Sequence, residues 1–195
     1  MFEKPIFESY VFLEQINTLI KKNLCKFKRV NIIININDNN RKEIENIINF
    51  AKKNCFPFYI KNSYQKSVKY KANGIYLETK NKKVIRPLLL KKNFKIIGSV
   101  HNQFEYYQKM RQNCSNLTFS PLFFNEKYSK NKILGIIKFN LITLNWKTNI
   151  SALGGISLNN LKKIKITSAN SFSFHKLIYD NKIKKPAHSL RSGQV

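Results

Sequence analysis

A closed (β/α)8 barrel in one compact α/β domain is the fold this sequence predicts. Three observations carry that reading. Short β-branched and aromatic runs alternate with amphipathic helical stretches, which argues for βα units on a parallel sheet. The alternation recurs about eight times, which favours a closed ring over an open doubly wound sheet. The chain has 195 residues, 43% of them hydrophobic. That is enough for one core, and it lies near the lower limit for a complete barrel, roughly 200 residues.

The elements follow in order. A first strand is expected near Ser9–Leu13. The clearer ones are Val30–Asn37, Phe56–Asn62, Gly74–Thr79, Phe94–Val100, Asn116–Phe123, Ile150–Ile156 and Ser171–His175. Runs this short and apolar fit strands buried on both faces. Between them, Asn39–Lys53 places Ile44, Ile47, Ile48 and Ala51 on one helical face. An Asn stands at its cap, with Glu early and Lys late, which suits the helix dipole. Helices are also expected over Asn102–Arg111 and Leu158–Ile164. No repeat and no Gly/Ser/Pro-rich linker divides the chain, so the domain is read as 1–186. The end, Ala187–Val195, differs in composition and reads as a flexible tail.

The net charge is +26, from 36 Lys+Arg against 10 Asp+Glu. Taken alone, that suggests nucleic acid or an anionic surface. However, Lys, Asn and Ile are abundant together throughout the chain, as an AT-rich genome would write them. A dedicated binding surface should instead cluster its charge. No RNP, KH or zinc-knuckle pattern is present, so nucleic acid is not an expected partner. A basic protein does favour phosphorylated ligands. Cys25, Cys55 and Cys114 form no CxxC or Cys/His ligand spacing and read as thiols in a reducing compartment. The start has no cationic region leading into an apolar stretch, and no apolar run reaches the roughly 18 residues of a membrane helix. A cytoplasmic protein with no membrane partner is expected.

The most specific local feature is Ala152–Leu161 (ALGGISLNNL). A strand ends in Gly154-Gly155 and a helix is expected a few residues later. Glycines let backbone approach a ligand, free N–H groups at a loop or helix start hold phosphate, and barrels often bind phosphate after strands seven and eight. A tight turn with no ligand is the alternative. Ser173, Phe174, His175 and Lys176 end the last strand beside that turn, where His175 and Lys176 could also be ordinary surface residues. Gly98-Ser99-Val100-His101 ends the fifth strand, at the active face of a barrel. No neighbouring Asp or Glu completes a Ser–His–acid triad, so no nucleophile is inferred. Ser120–Lys130 is a Pro-containing basic loop, either closing over an anionic substrate or simply a solvated Lys-rich loop. Glu78 ends strand four, and a lone carboxylate is a weak Mg²⁺ site.

From Phe58 to about His175 the chain resembles thiamine-phosphate synthase and its relatives, the thiazole tautomerases. Gly74-Ile75-Tyr76-Leu77 is similar to the family's Gly-Val-His-Leu. Ser99-Val100-His101 is similar to its Ser-x-His. Ser120-Pro121-Leu122-Phe123, with Leu134-Gly135 downstream, is similar to Gly-Pro-Ile-Phe followed by Leu-Gly. Ala152–Ile156 is similar to Ala-Ile-Gly-Gly-Ile, with Asn160 in the place of the family's Asn. The resemblance implies coupling of a pyrimidine diphosphate to a thiazole phosphate, with release of pyrophosphate and use of Mg²⁺. It implies that Gly154, Gly155 and the backbone of Ser173–His175 hold the thiazole phosphate. Ser99 would meet the pyrimidine or pyrophosphate, with Lys127 or Lys130 and Asn62 on the pyrophosphate and His101 at the same face.

Two departures stand out. The family ends strand two with Gln-x-Arg-x-Lys, where this chain has Ile33-Ile34-Asn35-Ile36-Asn37. The family's Gly-Gln-x-Asp reads Glu78-Thr79-Lys80-Asn81 here, so Asn81 replaces the metal carboxylate and Glu78 would have to substitute. The expected function is a divergent synthase of this kind, with a tautomerase-like relative or a non-catalytic phosphate binder as alternatives.

Overall fold

The computed structural model describes residues 8–27, 29–36, 41–85, 93–126 and 128–180. Within them eight strands run in parallel: β1 (Glu8–Leu13), β2 (Val30–Ile34), β3 (Phe58–Lys61), β4 (Gly74–Leu77), β5 (Lys95–Val100), β6 (Asn116–Phe119), β7 (Asn149–Leu153) and β8 (Ser171–Phe174). Each pairs with the next, and Glu8–Val11 of β1 pairs with Ser171–Phe174 of β8, so the ring closes. The predicted (β/α)8 barrel is the observed fold. Closure leaves no unpaired sheet edge.

Outside the ring lie α1 (Thr18–Leu24), α2 (Arg41–Lys53), α3 (Tyr64–Lys69), α4 (Gln103–Arg111) and α5 (Gly135–Thr143). Asn17, Ser63 and Asn102 cap α1, α3 and α4, each accepting a bond from a first-turn N–H. In α2 the buried face is Ile44, Ile47, Ile48 and Ala51, as its periodicity requires. The asparagines before α2, Asn39 and Asn40, lie outside the described residues, as does the 187–195 segment.

Alternation along the strands sorts the chain into three clusters, two outside the ring and one inside it. Outward residues such as Val11, Ile32, Ile34 and Ile60 pack under α1 and α2. Ile75, Ile96, Leu117, Phe119 and Ile150 pack in a second outer cluster with Phe139 of α5 and Trp146. Trp146 stacks on Tyr106 of α4 at 4.5 Å between ring centroids. Inward, Tyr10, Ile33, Tyr59, Tyr76 and Ile97 fill the lumen. The registers turn Asn116, Thr118, Ser151, Ser171 and Ser173 to the same interior. Large side chains thus come from one half of the ring and small ones from the other. The tyrosines reach across: the Tyr76 hydroxyl lies 2.9 Å from Thr118 Oγ1, and Asn116 Nδ2 donates to the Tyr10 hydroxyl at 2.9 Å. Burial pushes the Tyr76 phenol up to about 12, and it raises Tyr10 and Tyr59 as well. These hydroxyls keep their protons and remain donors.

The structure differs from expectation after β7. Residues 158–160 form a turn, and Leu161–Ile166 is a 3-10 helix in place of an α-helix from Leu158. Asn160 accounts for the delay. Its Oδ1 accepts from Ser157 N–H at 2.9 Å and its Nδ2 donates to Gly155 O at 2.7 Å, which ties the segment into a loop. The strands also stop short of the apolar runs at their C-terminal ends. β6 ends at Phe119, although Leu122 is fully buried beyond it.

Gly74 opens β4 where no side chain fits. A Cβ there would stand 2.0 Å from the backbone oxygen of Lys95 and 2.9 Å from the Tyr59 ring. Gly74→Ala is expected to cost about 3 kcal/mol or more through overpacking, read as a lower urea midpoint. A change under about 1 kcal/mol would show that β4 and β5 can separate locally.

Candidate active site at the C-terminal rim

The C-terminal ends of the strands form the face where barrels of this kind place their chemistry. On one side of the rim, β3 ends at Lys61 and Asn62 follows with φ 56°, a left-handed conformation that Asn tolerates. That turn aims the Asn62 amide at the loop after β4. Its Nδ2 donates to Glu78 Oε2 at 2.7 Å. Its Oδ1 accepts from Glu78 N–H at 2.9 Å and from Asn81 Nδ2 at 3.2 Å. Lys61 Nζ lies 2.6 Å from the other carboxylate oxygen, Glu78 Oε1. The structure therefore brings Asn62, Glu78 and Asn81 together.

Beneath this loop sits a residue that sequence reasoning passed over. Lys109 of α4 is 1% exposed. Its ammonium donates to Glu78 O at 2.7 Å, Asn81 O at 2.8 Å and Gln112 Oε1 at 2.8 Å. Gln112 Nε2 donates to Asn81 O and Lys83 O. Burial lowers the Lys109 pKa, and neighbouring acidic groups partly offset it. A buried lysine survives because neutral oxygens take its protons. The available signal was weak: Lys109 lies three residues after the aromatic Tyr106, on the face that meets the barrel.

Ser99 and His101 end β5. Ser99 faces the lumen near the Tyr76 hydroxyl, and its carbonyl accepts from Thr79 Oγ1 at 3.1 Å. His101 Nδ1 lies 2.9 Å from Ser120 O and 3.0 Å from Ser120 Oγ. A carbonyl only accepts, so Nδ1 is assigned the proton.

Across the ring, β7 runs into Gly154 (φ 98°) and Gly155 (φ 67°). A Cβ on Gly154 would lie 2.8 Å from Pro121 Cα, and one on Gly155 2.3 Å from Phe124 O. Leu122 N–H donates to Leu153 O at 2.8 Å and Phe123 N–H to Gly154 O at 3.0 Å. The loops after β6 and β7 are thus zipped together, and the fold itself demands both glycines. The end of β8 is less uniform. The Ser173 hydroxyl points into the lumen, 2.7 Å from Ser151 Oγ. The Phe174 side chain stacks on Phe27 in the outer core, so only its backbone can face the rim. His175 and Lys176 are exposed, and Lys176 Nζ pairs with Glu126 at 3.1 Å. Lys130 is exposed on the loop after β6, and Lys127 lies outside the described residues. A depression of about 500 Å³ lined by Cys114, Ser115, Lys147 and Asn170 opens before strands β6–β8, on the opposite face, and includes none of these groups.

The residues expected to hold Mg²⁺ do not form a ligand set. Both Glu78 oxygens are engaged, one by an ammonium. Asn81 Oδ1 accepts from Lys83 N–H at 3.0 Å. Among the described residues there is no group of three or more His, Cys, Asp or Glu able to hold a metal. A hard divalent cation needs oxygen ligands that no fixed cation already occupies.

Two outcomes follow from this network. Lys109→Met is expected to lower stability by about 2–3 kcal/mol by orphaning buried oxygens, measured by denaturant unfolding; an unchanged midpoint would mean that water replaces the ammonium. The second concerns Glu78. Partial burial raises its pKa, but the bonds from Lys61 and Asn62 and the Lys61 charge outweigh that, so its pKa falls below the ordinary 4.5. A lowered folded pKa gives stability that is full above the unfolded value and fades as pH falls through the folded one. The advantage of wild type over Glu78→Gln should be level near neutrality and shrink below pH 4.5. It should also be small, since the carboxylate side chain is 46% exposed. An advantage that grows on acidification would contradict the pairing.

A model of the thiamine monophosphate synthase family matches residues 13–178. A thiamine-phosphate synthase of Flavobacterium psychrophilum is 28% identical over 128 residues, 62% of this chain and 62% of that protein, so the match spans less than two thirds of the relative's length. Among solved structures, a thiamine phosphate pyrophosphorylase from Pyrococcus furiosus superposes with a TM-score of 0.74 at 14% identity, covering 94% of this chain and 93% of that one. A 2-keto-3-deoxy-6-phospho-gluconate aldolase from Zymomonas mobilis reaches 0.62 at 9% identity, covering 87% and 82%. The structural likenesses establish the barrel. No helix among the described residues is long and apolar enough to cross a membrane. With the family match running from the end of β1 to the 3-10 turn after β8, this chain belongs to the thiamine monophosphate synthase family.

Proposed function

We propose that the chain is a divergent thiamine-phosphate synthase-like transferase of the cytoplasm, joining hydroxymethylpyrimidine diphosphate to thiazole phosphate and releasing pyrophosphate. The observation that best supports this is the division of the rim. Polar and cationic groups at the ends of β3, β4 and β5 face, across the ring, the Gly154-Gly155 turn and the end of β8. One bank suits a leaving diphosphate. The other suits the phosphate of the second substrate, at a turn of the kind that presents backbone N–H groups.

In this reading the bond from the pyrimidine's carbon to the diphosphate oxygen breaks, and the oxygen leaves with the electron pair. A new bond forms from that carbon to the thiazole ring. Negative charge grows on the departing pyrophosphate, so donors fixed in advance lower the barrier. Ser99, at the lumen end of β5, would donate to the pyrimidine or to the leaving group. Asn62 fixes the loop that lines the diphosphate bank. Lys130, exposed on the segment after β6, would add positive charge toward the pyrophosphate. His101 holds Ser120 and thereby the start of that loop. Magnesium, implied by the family resemblance, has no ligand set in these residues, and no step is assigned to it.

The test is incubation with both substrates, read for thiamine phosphate and pyrophosphate. Product is expected, and Ser99→Ala and Lys130→Ala should each lower its rate roughly tenfold or more. No product with thiazole phosphate still bound would support the second reading, a tautomerase-like relative or a non-catalytic phosphate binder. The missing strand-two cations favour that reading. No product and no binding would remove the site assignment. Gly155 is unsuitable for this test, because any side chain there collides with Phe123 and Phe124 whatever the ligand.

A further inference from the structure

The alternation of β3 turns Lys61 to the same side as Tyr59, into the lumen, and its place as the last strand residue puts it at the mouth. Its side chain is 22% exposed, enough for the ammonium to meet a ligand. An ammonium has three protons. One points at Glu78 Oε1, 2.6 Å away. Asn62 Nδ2 donates to the other carboxylate oxygen, while Asn62 Oδ1 and Lys109 bond the Glu78 backbone N–H and carbonyl. The carboxylate is therefore a positioned counterion that orients Lys61 and leaves two protons for oxygen acceptors in the mouth. A divalent cation seeking the same carboxylate would have to settle beside an ammonium already bonded to it, and like charges that close repel.

We propose that Lys61 is the cation that binds the diphosphate group at this rim, and that it makes this binding independent of a divalent metal. The inference rests on the phosphorylated-substrate reading above and names the group that serves one of its two anions. β3 and β7 stand four strands apart in a ring of eight. An anion on Lys61 thus lies diametrically opposite one at the Gly154-Gly155 turn, which is the separation two substrates meeting in the middle require. Lysine grips phosphate as a point charge, without the planar geometry of arginine, so one well-oriented ammonium suffices for an end-on contact. Glu78 weakens that charge in the empty site.

The experiment is calorimetric titration of inorganic pyrophosphate into the full chain at physiological salt, once with EDTA and once with Mg²⁺. Wild type is expected to bind in EDTA within about threefold of its affinity in Mg²⁺. Lys61→Met should weaken binding in EDTA by roughly tenfold or more, while Lys52→Met, an exposed lysine of α2, leaves it unchanged. Glu78→Gln should tighten binding by about threefold or more, because it removes the competing carboxylate. Binding that weakens more than about tenfold without Mg²⁺ overturns the proposal. So does undiminished binding by Lys61→Met with a melting curve like wild type, and so does failure of wild type to bind pyrophosphate in either buffer. If Lys61→Met does not fold, Glu78→Gln decides, and weaker binding there overturns it. The readout is heat, not product. Binding with no turnover would therefore sink the synthase reading and leave this inference standing, while turnover without Lys61-dependent binding would sink this inference alone.

Discussion

Everything in this molecule depends on closing a ring of strands that are only four to six residues long. A ring has no edge to tolerate error, so each inward position must be filled without pushing the neighbours apart. This chain solves the problem asymmetrically. Tyr10 and Tyr76 reach across the lumen to Asn116 and Thr118, while Tyr59 bonds Asn31 of the neighbouring β2. All three hydroxyls are buried and remain protonated. The lumen is thus a hydrogen-bonded plug more than an oily one. Gly74 belongs to the same constraint, since β4 passes so close to β5 that a methyl group has no space.

A rigid plug gives the rim a firm floor, and the rim uses it. The residues that would carry chemistry are tied to buried groups below them: Glu78 and Asn81 to Lys109, Ser99 to Tyr76, His101 to Ser120. Electrostatics at such a site is set as much by what is held still as by what is charged. The pair Lys61–Glu78 is neutral as a unit, and the carboxylate tempers the charge that Lys61 turns to the mouth. Asn62 and Lys109 hold Glu78 in that position.

Much of this was legible in the sequence. The eight strands, the α2 face and the single domain follow from periodicity, because burial on both faces writes a continuous apolar run. Five short motifs in order marked the family. What was misread has physical causes. Leu122 and Phe123 extend the apolar run past the end of β6, yet they fill the space between two loops and do not pair in a strand. The segment after β7 was read as an α-helix because its spacing allows one, and the asparagine that ties it into a turn is visible only in three dimensions. Phe174 was placed at the rim by proximity to the motif, whereas strand alternation sends its ring outward. Lys61 and Lys109 were passed over because lysine is the commonest kind of background in this sequence. A functional lysine among 36 Lys+Arg has no compositional signature. Only its partners single it out.

The zipper between the loops after β6 and β7 has a consequence for how this protein can change over generations. Pro121–Phe124 and Leu153–Gly155 share backbone hydrogen bonds and leave no room for a Cβ between them. Neither loop can drift alone. A residue gained in one strands the other's carbonyls, and a side chain gained in the other expels the first. Substitutions there must arrive in matched pairs, so this corner of the rim is inherited as one piece. The loops after β3 and β4 are joined mainly through side chains, which single substitutions can trade. Novelty in this lineage therefore has its easier path on the β3–β4 bank.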